Sequence, residues 1–171
     1  MHIHAAPAVA ARTMPASNPL PEVRLALPED LEEILEMGRQ LHAENGLMNL
    51  DEDMIRQAAE AAILHNQGIF AVIGKNPVQA MIFLGLRQYW YSKELHLEEL
   101  LAFVLPQYRK SDNAKALIEF AKSAALKLGV PLLIGIVSND RTAQKIRLYR
   151  RRLGEPAGAY FIFNGRTGKR N

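Results

Sequence analysis

Residues 100–105, Leu-Leu-Ala-Phe-Val-Leu, form a continuous apolar run that stops at Pro106. Such a run suits a strand buried on both faces, and proline, which has no N–H, cannot carry the ladder further. A polar, basic turn follows over residues 107–112. Apolar residues then recur at Ala114, Leu117, Ile118, Ala121, Ala125 and Leu128, the three-and-four spacing of one helix face, with Lys115, Glu119, Lys122 and Lys127 on the other. Strand, basic turn and helix in succession predict an α/β chain organised around this unit.

The junction has a chemical use. The first turn of a helix presents N–H groups without intrahelical partners, and the macrodipole adds partial positive charge, so anions are attracted there. Arg109 and Lys110 reinforce that field, and Ser111, Asn113 and Ala114 are small enough to let an anion approach the backbone.

The pattern Val104-x-Pro106-x-x-Arg109-x-x-Asp112-x-Ala114, followed by the apolar helix, resembles the acetyl-coenzyme A signature of the GNAT superfamily of N-acetyltransferases. That signature is usually written Val-x-Pro-x-x-Arg/Gln-Gly-x-Gly-x-Gly/Ala. Lys110 and Asp112 stand where it has glycine. A carboxylate at position 112 would repel a diphosphate by roughly 1 kcal/mol at 4 Å in water. Its alternative role is to cap the helix.

The order of elements along the chain resembles the same family. Residues 1–21, rich in alanine and proline, read as a disordered arm. A first strand is expected over 23–27, then a helix opened by Pro28, Glu29 and Asp30, with Leu31, Ile34, Leu35, Gly38 and Leu41 inward, ending at Asn45-Gly46. Asp51 is the expected N-cap of a second helix with Met54, Ile55, Ala58, Ala62 and Ile63 inward. Residues 69–73 and 78–86 are expected to pair as a hairpin around Gly74-Lys75-Asn76-Pro77. A second buried strand is expected over 132–137, then a helix capped by Ser138, Asn139 or Asp140 with Ala143, Ile146, Tyr149 and Leu153 inward, and a last strand over 159–163. The acetyltransferase domain is accordingly expected over 22–164, with a basic tail over 165–171.

The resemblance implies a GNAT fold: a mixed, mostly antiparallel central sheet with helices on both faces and a splayed central strand pair. It also implies acetyl-CoA as co-substrate, held by Ala102, Phe103 and Val104 along the central strand and by Arg109, Lys110, Ser111, Asp112, Asn113 and Ala114 in the turn. Asn139 and Tyr149 resemble the family pattern Asn-x-x-Ala-x-x-x-Tyr-x-x-x-Gly-Phe, although Gly154 comes one residue late and Glu155 stands where Phe is usual. The segments 89–92 and 38–44 resemble GNAT proteins of phage and prophage origin.

Acyl transfer to an amine needs a neutral nucleophile, a polarised carbonyl and an acid for the departing thiolate. A backbone N–H near Phe103 or Val104 is the expected polarising group, and Tyr149 is the expected acid, its alternative being a core tyrosine with a satisfied hydroxyl. Glu98 and Glu99 are the candidate bases. Strand alternation groups Glu98 with Ala102 and Val104, and Glu99 with Leu101 and Phe103, so one of the two faces the cleft and the choice stays open. The aromatic cluster Tyr89-Trp90-Tyr91 reads either as acceptor-pocket lining or as cover for a sheet edge or subunit contact.

Composition narrows the chemistry. With 171 residues, 49% of them hydrophobic, one domain with a real core is expected. The chain has no cysteine, which excludes a thiol nucleophile, thiolate metal sites and disulfides, and makes direct attack on the thioester the default. No metal site is expected, since His42, His65 and His96 lack ligand spacing. No membrane span is expected either, and the location is expected to be cytoplasmic. From Arg141 onward nine lysines and arginines face a single acid, Glu155, although the formal net charge is only +3. That asymmetry suits a phosphorylated ligand, and it equally supports the alternative of a catalytically weak binding module contacting nucleic acid or a protein partner. The expected partners are acetyl-CoA and an amine of a small molecule or protein, with a homodimer left open.

Overall fold

The computed structural model describes residues 19–138 and 141–161. In chain order it contains β1 (Arg24–Leu25), α1 (Leu31–Asn45), α2 (Glu52–His65), β2 (Ile69–Ile73), β3 (Ala80–Gln88), β4 (Leu95–Val104), α3 (Asn113–Leu128), β5 (Leu132–Ile134) and α4 (Thr142–Leu153). The strands form one sheet in sequential order, antiparallel from β1 to β4 and parallel between β4 and β5.

Strand alternation divides the hydrophobic residues between two cores. Phe70, Val72, Met81, Phe83 and Phe103 join Ile34, Met37, Ala59 and Ala62 under α1 and α2. Ala71, Ile73, Ala80, Ile82, Leu84 and Leu97 meet Ala116, Leu117, Ala121 and Ala125 of α3 on the opposite face. The expected mixed sheet with helices on both faces is therefore present.

Helix signals were mostly readable. A short 3-10 turn over Pro28–Asp30 leads into α1, whose buried Ile34, Leu35 and Gly38 match the expected stripe. Asp51 caps α2, its carboxylate accepting the Met54 N–H at 3.0 Å, and Asn66 ends that helix in the left-handed region. Ala59 rather than Ala58 is fully buried in α2, and Met54 is exposed. Asp30 does something the pattern did not announce. It is buried, and its carboxylate accepts Arg24 Nη1 and Nη2 at 2.7 and 2.8 Å and the Leu27 N–H at 2.8 Å, tying β1 to the start of α1.

Several boundaries differ from expectation. β4 begins at Leu95, five residues before the apolar run, because residues 95–99 pair with β3 irrespective of their polarity. β5 stops at Ile134 rather than 137. In α4 the expected inner residues Ala143 and Leu153 are exposed, while Thr142, Lys145, Ile146, Tyr149 and Arg152 are half-buried. The side chain of Arg141, at its N-cap, makes no capping bond, and the Thr142 hydroxyl instead donates to the Ser138 carbonyl. Residues 159–161 are not strand, and Tyr160 and Phe161 are exposed. Residues 1–18 of the expected arm, Asn139 and Asp140, and residues 162–171, which include the rest of the expected last strand and the tail, lie outside the described residues.

Candidate coenzyme cleft and acid-base pair

The site is built where β4 and β5 part. Their parallel register is Leu97 with Leu132, Glu98 with Leu133 and Glu99 with Ile134, and it goes no further. β4 continues to Val104, while residues 135–138 carry no strand. At about 3.3 Å per residue, the five residues 100–104 leave roughly 16 Å of β4 edge without a strand partner on this side among the described residues.

Which backbone groups point into that gap follows from the ladder. Leu97 N–H donates to Pro131 C=O at 2.8 Å on the β5 side, and Leu105 N–H donates to Gln79 C=O at 3.0 Å on the β3 side. Alternation in an antiparallel pair then turns Phe103, opposite Met81, toward β3, and turns Ala102 and Val104 toward the gap. The polarising N–H expected near Phe103 or Val104 is thus narrowed to the residues either side of Phe103, whose ring lies in the core beneath α1 and α2.

A β-bulge sets which of the two glutamates shares the face of Ala102 and Val104. Leu84 pairs with Glu99 and Phe83 with Leu101, so Leu100 is an extra residue in β4. Its side chain lies over Gly85, where an added Cβ would meet Leu100 Cδ1 at 3.0 Å. The inserted residue reverses the alternation, so Glu99 shares the face of Leu84, Ala102 and Val104, the grouping that simple parity gave to Glu98. Glu98 lies opposite Gly85 and faces the other way.

Tyr149 of α4 donates its hydroxyl to Glu99 Oε2 at 3.1 Å, where β4 and β5 begin to part. Burial pushes the Glu99 carboxyl up to about 7, against the smaller opposing effects of the Tyr149 hydrogen bond and the Lys145 charge. The tyrosine itself is raised well above its ordinary range, mainly by burial and then by the Glu99 charge. Lys145, one helical turn before Tyr149, is lowered by burial, partly offset by Glu99. Sequence reasoning missed this lysine. The signal was available, since positions 145 and 149 lie on one helix face.

The turn beyond β4 passes through a 3-10 segment, Pro106–Tyr108, into α3. The first intrahelical bond runs from Ala116 N–H to Asp112 C=O at 2.9 Å, which leaves the N–H groups of Ala114 and Lys115 without helical acceptors. Neither Lys110 nor Asp112 has a positive φ, so this turn does not need the glycines of the signature for backbone freedom. Asp112 makes no side-chain cap, so the capping role is not realised. Lys110, Ser111 and Asp112 are exposed at the helix start, and Ala114 is half-buried. Asn113 is buried, and its Nδ2 donates to Gln79 Oε1 at 3.4 Å, which anchors α3 to the β2–β3 hairpin. Arg109 points inward: its Nε donates to Val104 C=O at 2.9 Å and its Nη2 to both Glu44 oxygens at 2.7 Å.

Other features fall outside the cleft. An apolar cavity of about 210 Å³ lies between α1, α2 and the sheet, on the opposite face from Glu99. Trp90 is 94% exposed at the β3–β4 turn, with Tyr89 stacked on Tyr91 at 5.3 Å. Of the Arg150–Arg152 run, Arg150 pairs with Glu155 at 3.0 Å and Arg152 approaches Glu119 at 3.8 Å, which moderates the basic face. Among the described residues no group of three or more His, Cys, Asp or Glu is placed to hold a metal, and no helix is long and apolar enough to cross a membrane.

Solved structures share this architecture. A possible acetyltransferase from Clostridium difficile 630 superposes with a TM-score of 0.65 at 19% identity, covering 85% of this chain and 98% of that one. The fold is the GNAT fold. A predicted acetyltransferase with acetyl-CoA from Clostridium acetobutylicum matches this chain with a TM-score of 0.66 at 12% identity, covering 84% and 95%. AAC(6')-Iy in complex with the bisubstrate analog CoA-S-monomethyl-acetylneamine matches with a TM-score of 0.64 at 17% identity, covering 88% and 98%. No family model matches the sequence, and no curated protein matches it significantly. The GNAT likeness therefore lives in the backbone, at identities where side-chain roles must be argued from this chain's own geometry.

Proposed function

We propose that this chain is an acetyl-CoA-dependent N-acetyltransferase in which an amine attacks the thioester directly. The observation that carries the reading is the parting of β4 and β5 after Glu99, with a helix start bearing free N–H groups at its far end. An extended amide-containing arm fits the 102–104 edge, where the Ala102 N–H and C=O and the Val104 N–H match it as a further strand would, the Val104 C=O being held by Arg109. The diphosphate then falls at the start of α3, near Ala114 and Lys115.

Glu99 and Tyr149 divide the proton work. A carboxyl titrating near 7 is close to the optimum for a general base at neutral pH, directly or through one water. A tyrosine held above its ordinary range is by itself a poor donor to a thiolate, given that an ordinary cysteine thiol titrates at about 8.5. The hydrogen bond resolves this. The amine nitrogen bonds to the carbonyl carbon and its proton passes to Glu99. As the C–S bond breaks, Tyr149 gives its proton to sulfur and recovers one from Glu99. Products are the amide and free thiol, and both residues return to their starting states.

Titration with acetyl-CoA followed by heat denaturation tests binding, since ligand at a hundred times its dissociation constant adds about 2.7 kcal/mol. Thiol release is then measured with a panel of amines that includes aminoglycosides. No binding at millimolar acetyl-CoA would defeat the proposal.

A further inference from the structure

The turn over residues 106–112 has few ties to the body of the protein. Ser111 bonds back to Tyr108 within the turn, and the Tyr108 ring packs on the core under α1 and α2. Arg109 makes the long connection. Its guanidinium is fixed three ways: onto Val104 C=O at 2.9 Å, onto both Glu44 oxygens at 2.7 Å, and over the Phe103 ring at 5.3 Å. Glu44 is the penultimate residue of α1, 65 positions away in sequence. One ion pair therefore joins the last carbonyl of β4, the end of α1 and the turn whose amides open α3.

We propose that Glu44 and Arg109 are positioning residues for the diphosphate turn, so that Glu44 strengthens anion binding even though it is itself an anion. The inference rests on reading the turn as the coenzyme site. Its reasoning is about order. An exposed turn without glycine or proline beyond Pro106 gains affinity when its donors are preorganised, because less freedom is lost on binding. The half-buried pair, with 20% and 36% of its side-chain surface exposed, is placed to supply that order. Plain electrostatics makes the contrary claim, since removing a carboxylate near a diphosphate reduces repulsion and should tighten binding.

The two ideas predict opposite signs. In Glu44→Gln the strut loses its charge and one acceptor, and coenzyme A binding by calorimetry should weaken about tenfold. Glu44→Asp keeps the charge but shortens the reach, and should weaken binding as well. A merely structural role would lower the melting temperature without changing the affinity of the folded protein. A second readout needs no ligand: hydrogen exchange in the free protein should quicken at amides 110–115 of Glu44→Gln while those at 120–128 stay unchanged. Tighter or unaltered binding in Glu44→Gln, or unaltered exchange at 110–115, overturns the inference. If wild-type protein fails to bind coenzyme A, the diphosphate reading falls, and the exchange experiment still decides the strut.

Discussion

The Tyr149 hydroxyl donates at 3.1 Å to Glu99, the last residue of β4 that pairs with β5 before the two strands part. Tyr149→Phe removes that oxygen and little else. General acid catalysis contributes roughly 10²- to 10⁴-fold, so kcat should fall about a hundredfold or more with the KM for acetyl-CoA nearly unchanged. The pH profile adds a directional test. The hydrogen bond holds Glu99 down, so its loss should move the acidic limb of kcat/KM upward from near pH 7. An unchanged rate would reduce the hydroxyl to a partner for a buried carboxylate.

Glu99 should also trade stability for activity. Its folded value, about 7, lies above the ordinary 4.5, so between those values the native state binds the extra proton and stability falls as pH rises. Above pH 7 the ionised carboxylate destabilises the fold by up to about 3 kcal/mol, less what relaxation and hydration recover. Glu99→Gln keeps the shape and removes the charge. Its melting temperature should exceed that of wild type at pH 8 and lose that advantage at pH 5, while acetyl transfer collapses at both. Equal melting curves at pH 8 would contradict the raised value.

How far the sequence reached depended on whether a feature was local. Asp51 as a cap, the turn at 74–77 and the α3 stripe at Leu117, Ile118, Ala121 and Ala125 all follow from rules spanning a few residues, and the structure has them, although Leu128 at the end of that stripe is exposed and Ala116 is buried in its place. Glu99 was left unresolved because one inserted residue, Leu100, reverses strand parity, and a bulge is written in pairing with β3 rather than in β4 itself. Arg109 points into the body because its acceptor lies 65 positions away, a distance no short motif spans. α4 was read correctly at Ile146 and Tyr149 and misread at Ala143 and Leu153, because polar partners on other elements also shape its inner face: Tyr149 bonds Glu99, Lys145 lies one turn before it, and Arg152 approaches Glu119. Features that cross the cleft were the least legible, and they are the ones that would do the chemistry.

Asp30 offers a test of the frame rather than the site. The Arg24 hydrogen bond, ahead of the opposing effect of burial, holds its carboxyl below the usual range. A depressed acid contributes stability above its unfolded value that is lost as pH falls through the folded one. Asp30→Asn leaves Arg24 facing an amide, and breaking such a buried pair costs roughly 3 kcal/mol. Urea denaturation should show that loss at pH 7 and a progressively smaller one as the pH is taken below the ordinary 3.8 toward the depressed folded value. A variant as stable as wild type at pH 7 would mean that the Gly74 carbonyl, which Arg24 also reaches at 2.9 Å, suffices.

Asp112 carries the same charge as Glu44 and should have the opposite effect. It is exposed, sits at φ −82° and makes no capping bond, so Asp112→Asn keeps the backbone and changes only the charge at the mouth of the proposed diphosphate turn. Repulsion of roughly 1 kcal/mol at 4 Å in water corresponds to about fivefold in affinity. The variant should therefore bind coenzyme A several-fold more tightly, and the gain should shrink as salt is raised, since exposed charges are screened. Stability should move the other way. A carboxylate at a helix N-terminus favours the macrodipole by about 0.3–1 kcal/mol, so the variant should melt slightly lower. Weaker binding in Asp112→Asn would mean that the carboxylate orders the turn after all, and the free amides of Ala114 and Lys115 would then no longer account for anion affinity on their own.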